Sequence, residues 1–140
     1  MKITRQTEYA VRTMSYLSER GWDGRVPTAV IAGSEDIPQP FLTKVISRLV
    51  TAGLVTTSRG TGGGVALARS PDEITLLQVI EAMEGPLLLS YCLLRSGTCK
   101  LEPGCAIHEA WADIQASLAH GLDAVTMAEL VRRQDGNTRQ

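Results

Sequence analysis

Residues 38–67 read PQPFLTKVISRLVTAGLVTTSRGTGGGVAL. Pro38 and Pro40 cannot sit inside a helix but fit its first turn. A helix is therefore expected from near Pro38 to about Ala52. Its apolar stripe reads as Phe41, Leu42, Val45, Ile46, Leu49 and Val50, and Gly53 reads as a left-handed cap. Leu54-Val55-Thr56-Thr57 is short and β-branched. Ser58 to Gly64 is a glycine-rich turn, and Val65-Ala66-Leu67 returns from it. Two short strands around such a turn predict a β-hairpin.

Upstream, Ala10, Val11, Met14 and Leu17 recur at helical spacing, so a helix is expected from Thr7 to Arg20, with Gly21 as its stop. Gly21 to Val26 is a short polar turn. Pro27 suits the first position of a second helix through about Gly33, with Val30 and Ile31 as its apolar contacts and Ser34-Glu35-Asp36 as the turn out. Helix, turn, helix, hairpin is the order of a winged helix-turn-helix.

Downstream, Thr75 and Gln78 form a capping-box pattern. A fourth helix is expected to about Glu84, burying Leu76, Val79, Ile80 and Met83, until Gly85-Pro86 breaks it. Residues 87–104 show no periodicity. A long helix then starts near Cys105. Ile107, Trp111, Ile114, Leu118, Leu122 and Val125 fall close to a heptad seam, the mark of a helix that packs on another helix. Gly121 is a candidate interruption. Thr126 and Glu129 open a last short helix, and the polar tail from Gln134 reads as disordered. The fold class is mainly α with a small β-hairpin. Residues 1–85 form the winged helix-turn-helix, 86–104 a ligand-rich loop, 105–133 a dimerisation helix with the terminal helix, and 134–140 the tail.

The 140 residues suit one domain. A chain of this size buries roughly two-thirds of its unfolded surface, so it needs no metal or disulfide merely to fold. No apolar run approaches the roughly 20 residues of a membrane span. The first residues carry no secretory signal, so a soluble cytoplasmic protein is expected. Net charge is −1, but its distribution is uneven. From Ile37 to Pro71 there is no Asp or Glu, while Lys44, Arg48, Arg59 and Arg69 are present; from Asp72 onward ten acidic residues outnumber five basic ones. A local cationic surface is the electrostatic footprint for phosphates.

Several chemistries are excluded. The glycine-rich turn lacks Gly-Lys-Ser/Thr and precedes a strand rather than a helix, so it is not a phosphate loop. It reads as a wing that lies close against a groove, with Arg59 able to enter a minor groove. His108-Glu109 begins like a zinc-protease helix, but position 112 is Ala. A cysteine nucleophile paired with His108 has no assignable third partner, so no enzyme is expected. Gln39, Thr43 and Lys44 face outward if Phe41, Leu42 and Val45 face inward. The first turns of such a helix reach base edges.

All three cysteines and one histidine fall in seventeen residues: Cys92, Cys99, Cys105 and His108, spaced C-x6-C-x5-C-x2-H. An odd number of thiols in a reducing compartment argues against a disulfide framework. Soft thiolates with an imidazole suit zinc or an iron–sulfur cluster. Zinc sites usually bring ligands in closer pairs, whereas clusters take ligands from spread positions; the residues alone leave both open.

The chain resembles the Rrf-two family of bacterial regulators, which includes the IscR, NsrR and RirA types. The marks are Glu8-Tyr9-Ala10-Val11-Arg12, then Ile37-Pro-Gln-Pro-Phe-Leu42, then Ala52-Gly-Leu-Val55 with Arg59-Gly-Thr-Gly-Gly-Gly64 and Leu67-Ala-Arg69, and finally Glu73-Ile-Thr-Leu76 with Ile80-Glu-Ala-Met-Glu-Gly-Pro86. The resemblance implies a homodimer on a roughly palindromic operator in double-stranded DNA. It implies DNA contacts from Tyr9, Gln39, Pro40, Thr43, Lys44, Arg48, Arg59, Gly60 and Thr61, and no membrane. It also implies an iron–sulfur cluster on Cys92, Cys99 and Cys105. Cys99 to His108 matches the IscR spacing, which favours a 2Fe-2S cluster with His108 as fourth ligand. The gap from Cys92 to Cys99 is one residue longer than in IscR, which keeps a 4Fe-4S cluster with Glu8 as the alternative. The expected function is a cluster-sensing repressor responding to redox state, nitric oxide or iron. A DNA-binding module with structural zinc or a thiol switch is the second expectation.

Overall fold

The computed structural model describes residues 3–21, 24–94, 100 and 104–138. Helix α1 spans Arg5–Glu19. It starts two residues before the expected Thr7, because the Thr4 hydroxyl accepts from the Thr7 amide and caps it. Tyr9, Ala10, Met14 and Leu17 are buried on one face. Thr13 and Ser18 are buried too, and their hydroxyls donate to the Tyr9 and Met14 carbonyls one turn back.

Helix α2, Thr28–Glu35, uses Pro27 as its cap rather than its first residue. It runs through the expected turn Ser34–Glu35 and stops at Asp36, the one described non-glycine residue with positive φ, at 52°. Ile31 is fully buried, but Val30 stays 49% exposed. Helix α3, Gln39–Thr51, buries Leu42, Val45, Ile46 and Leu49. Phe41 and Val50 do not join that stripe and are 46% and 40% exposed. They lie at its edges, outside the arc that positions 42, 45, 46 and 49 cover. Gly53, at φ 75°, closes α3: its amide bonds the Val50 carbonyl at 2.9 Å, and Leu54 bonds Leu49 at 3.0 Å.

Strands β1, Val55–Ser58, and β2, Gly64–Leu67, pair antiparallel with Val55 opposite Leu67 and Ser58 opposite Gly64. Val26 adds a bridge to Val65 through bonds of 2.9 and 2.8 Å. Gly64 must be glycine there. Its φ is 139°, and a Cβ would lie 2.3 Å from the Val26 carbonyl oxygen. A 3₁₀ turn, Pro71–Glu73, leads to α4, Leu76–Glu84, where the Thr75–Gln78 capping box forms in both directions.

Beyond Gly85 a second 3₁₀ turn, Tyr91–Leu93, packs against α5, Ala106–Asp123. Gly121 does not interrupt α5. No residue of α5 is buried: Ile107, Trp111 and Ile114 are 67, 39 and 52% exposed. Helix α6 runs Met127–Thr138, so the chain stays helical past Gln134, where a tail was expected. Met127 is fully buried, and α6 packs back on α1. The corner between α5 and α6 is fixed by bonds of 2.8 Å from Leu76 N to Val125 O and from Met127 N to Ile74 O.

At the far end of α4, Glu84 accepts from the Thr4 amide and from the hydroxyls of Thr4 and Thr7. The Thr4 hydroxyl, then that of Thr7, holds its carboxyl below the ordinary value of 4.5. Stability from Glu84 is thus present above pH 4.5 and lost as pH falls through the lowered folded value. Thr7→Val is expected to cost about 1 kcal/mol, a fall of about 4 °C in Tm. The Tm difference between wild type and Glu84→Gln should narrow below pH 4.5. A difference unchanged from neutrality to about pH 3 would show that the ionised carboxylate adds no stability.

Candidate functional site

Two groups of residues stand out, one on α3 and the hairpin, the other around the first turn of α5. Gln39, Pro40, Thr43 and Lys44 lie exposed on the first turns of α3. Thr43 donates to the Gln39 carbonyl at 3.0 Å, and Gln39 Nε2 donates to Thr28 Oγ1 at 3.3 Å. The second bond ties the start of α3 to the start of α2. Arg59, Gly60 and Thr61 are exposed at the hairpin tip, where the Gly63 amide bonds the Gly60 carbonyl at 2.9 Å. No carboxylate occurs in the sequence from Ile37 to Pro71 to neutralise Lys44 or Arg59 locally.

Tyr9 is only 6% exposed. Its ring lies 6.2 Å from that of Phe41, and the Arg12 guanidinium sits 5.1 Å over it. Arg12 also donates to the Glu35 carbonyl at 2.9 Å, at the end of α2. Tyr9 thus supports α3 from beneath. Arg48 turns from the exposed face of α3 and donates to the Met83 carbonyl at 2.7 Å. That contact joins residues 35 positions apart, and no local pattern announces it. The Val26 bridge was equally invisible, since Gly21–Val26 reads only as a polar turn.

Cys92 lies in the turn Tyr91–Leu93, half-buried, its thiol 3.3 Å from Ser90 Oγ. Cys105 is the N-cap residue of α5 and makes no side-chain cap bond. His108 follows on the first turn and is half-buried. The turn carrying Cys92 therefore packs on the helix that begins with Cys105 and His108. Both described thiols are free. Two soft sulfurs and an imidazole suit either zinc or an iron–sulfur centre, and the positive end of α5 favours the negative charge of thiolate ligands. Cys99 lies outside the described residues, among which no three metal-binding side chains gather.

Glu8 is exposed on α1 and lines an apolar groove with Val11, Leu76, Ile80, Leu118 and Leu122. Leu118 is thirteen residues along α5 from Cys105, about 20 Å at the helical rise. Glu8 thus neighbours the later turns of α5 rather than its first turn. No described helix is long and apolar enough to cross a membrane.

Solved structures share this arrangement. CymR (YrzC), the global cysteine regulator of B. subtilis, superposes with a TM-score of 0.78 at 27% identity, over 95% of this chain and 98% of that one. T. potens IscR superposes with a TM-score of 0.74 at 27% identity, over 96% and 88%. In sequence, the HTH-type transcriptional regulator IscR of Aliivibrio salmonicida is 34% identical over 131 residues, 94% of this chain and 77% of the relative. The Rrf2 family model, described as an iron-dependent transcriptional regulator, matches residues 3–133. With the hairpin, helices α1 to α5 and the thiol-bearing helix start all inside that match, the chain belongs to the Rrf2 family and is an IscR-like transcriptional regulator.

Proposed function

We propose that this protein is a repressor that binds a palindromic operator as a homodimer and senses its signal through an iron–sulfur cluster. The supporting observation is the packing of the Cys92 turn on α5, whose first turn carries Cys105 and His108. Cys92, Cys99, Cys105 and His108 would hold the group, which supplies a centre reactive toward redox change, nitric oxide or iron loss. His108 is favoured as fourth ligand because it shares the first turn of α5 with Cys105. Glu8 instead shares a groove with Leu118 and Leu122, on the later turns of α5. The IscR-like spacing from Cys99 to His108 favours two irons over four.

The chain's own part in switching follows from its contacts. A centre held by both Cys92 and Cys105 would fix residues 91–93 against α5. Just before this segment, the Leu89 amide donates to Gln115 Oε1 of α5 at 2.8 Å. Upstream of it, Arg48 links the end of α4 to α3, the helix expected in the major groove. A signal shifts DNA affinity only if it treats the two arrangements differently.

Protein purified without oxygen is expected to be brown, with Mössbauer spectra of a two-iron centre. Cys92→Ser and Cys105→Ser should each lose the colour and most of the iron. His108→Ala should alter the spectrum, while Glu8→Ala leaves it unchanged. A colourless protein with stoichiometric zinc would support the structural-zinc reading instead. On a duplex selected from a random library, affinity should differ about tenfold or more between intact and cluster-free protein; equal affinity in the intact, reduced and cluster-free states would overturn the switch.

The exposed Ile107, Trp111 and Ile114 give the dimer its expected contact. Ile114→Asp should shift the protein to monomer in sedimentation velocity while leaving its far-UV circular dichroism intact. A persistent dimer would exclude this face.

A further inference from the structure

Between the hairpin and the start of α2 lies a cleft of about 410 Å³, lined by Arg25, Thr28, Thr57, Ser58 and Gly60 among others. Among the described residues, no carboxylate lines it. Arg25 is exposed, and among the described residues no ion pair engages it. Other arginines are committed within the chain: Arg12 to the Glu35 carbonyl, Arg20 to the Tyr16 ring and carbonyl, and Arg48 to the Met83 carbonyl. Arg25 stands beside the wing with its donors turned to no described acceptor.

One wall of the cleft is the hairpin, expected to meet DNA, and the other is the start of α2, which is tied to the start of α3. Thr28 on one wall accepts from Gln39, the first residue of α3. Thr57 and Ser58 on the other wall lead directly into Arg59. The Val26–Val65 bridge, one residue from Arg25, fixes the distance between the walls. A helix in the major groove and a wing in the adjoining minor groove sit on either side of one sugar–phosphate strand. That strand has to pass between them, where the cleft lies.

We propose that Arg25, with the Thr28 hydroxyl beside it, grips a backbone phosphate of the strand that divides the two grooves. The inference rests on the DNA-binding reading above and adds a contact that the family resemblance did not supply. Such a contact sets the position of the protein on the duplex without reading bases. Arg25 is therefore a positioning residue, unlike Gln39 at the helix start.

The test uses full-length protein purified without oxygen, and fluorescence anisotropy on two labelled duplexes, one selected from a random library and one of random sequence. Arg25→Ala should weaken binding to both by the same factor. It should also reduce the slope of log affinity against log salt by about one unit. The defect should then be about 3.5-fold larger at 50 mM than at 200 mM salt, from a dependence of about 0.9 per phosphate. Arg25→Lys should restore most of the slope, and circular dichroism melts should match wild type. Gln39→Ala, by contrast, should weaken the selected duplex alone. If Arg25→Ala leaves affinity and slope unchanged while Arg59→Ala weakens binding, the Arg25 contact is overturned and the DNA reading stands. If wild-type protein binds neither duplex, the DNA reading itself fails.

Discussion

The end of α4 is where the fold is tied together. The last carbonyls of a helix have no partner within it and attract cations. Arg48 fills that role for Met83, and the coulombic pull of Arg48 also reaches the Glu84 carboxylate. Glu84 in turn gathers the amide and hydroxyl of Thr4 and the hydroxyl of Thr7. Helices α1, α3 and α4 thus converge within two residues of Gly85. Gly85 leaves the helix at φ 80° and ψ −172°, a conformation that only glycine adopts readily. The segment toward Cys92 therefore departs from a point already fixed to the helix that carries Gln39 and Lys44.

The wing is held by a similar economy of contacts. A two-stranded hairpin alone is marginal in water. Here Val26 acts as a one-residue third strand, and Val55, Val65 and Leu67 are buried beneath it. Gly64 permits this by letting the backbone pass against Val26 with no side chain between. The glycines at the tip serve the turn, while Gly64 serves the seat. The seat sets where Arg59 stands relative to α3.

Much of this was legible in the sequence, for physical reasons. The helices of the winged region announce themselves through periodicity and caps: the Thr75–Gln78 box, the Gly53 cap and the buried faces at positions 42 to 49 rest on local rules. Edges were harder. Phe41 and Val50 are apolar yet stay half-exposed, because hydrophobicity does not say how wide an arc the neighbours cover. The last helix runs past Gln134, where polar composition reads as disorder, because Met127 and Leu130 anchor it to the core. The tertiary bonds of Arg48, Glu84 and Val26 had no sequence signal at all. The spacing offers four candidate ligands, but only the fold brings the turn carrying Cys92 to α5.

Helix α5 carries the consequence. No residue of it is fully buried within the chain, although most helical stability in proteins comes from packing an apolar face. It is held at both ends instead. Near Asp123, the Thr75 hydroxyl bonds its carboxylate at 2.9 Å, and the Val125 carbonyl receives the Leu76 amide. Toward the other end, Gln115 receives the Leu89 amide and the Cys92 turn packs alongside. On the N-terminal side of Gln115, Ile107, Trp111 and Ile114 face water in the single chain. On the proposed reading, a partner covering that face and a centre held at Cys105 act on the same first turns of the same helix. Rigidity supplied by one then lowers the ordering cost of the other. Dimerisation and ligand retention are expected to be coupled without any further contact between them.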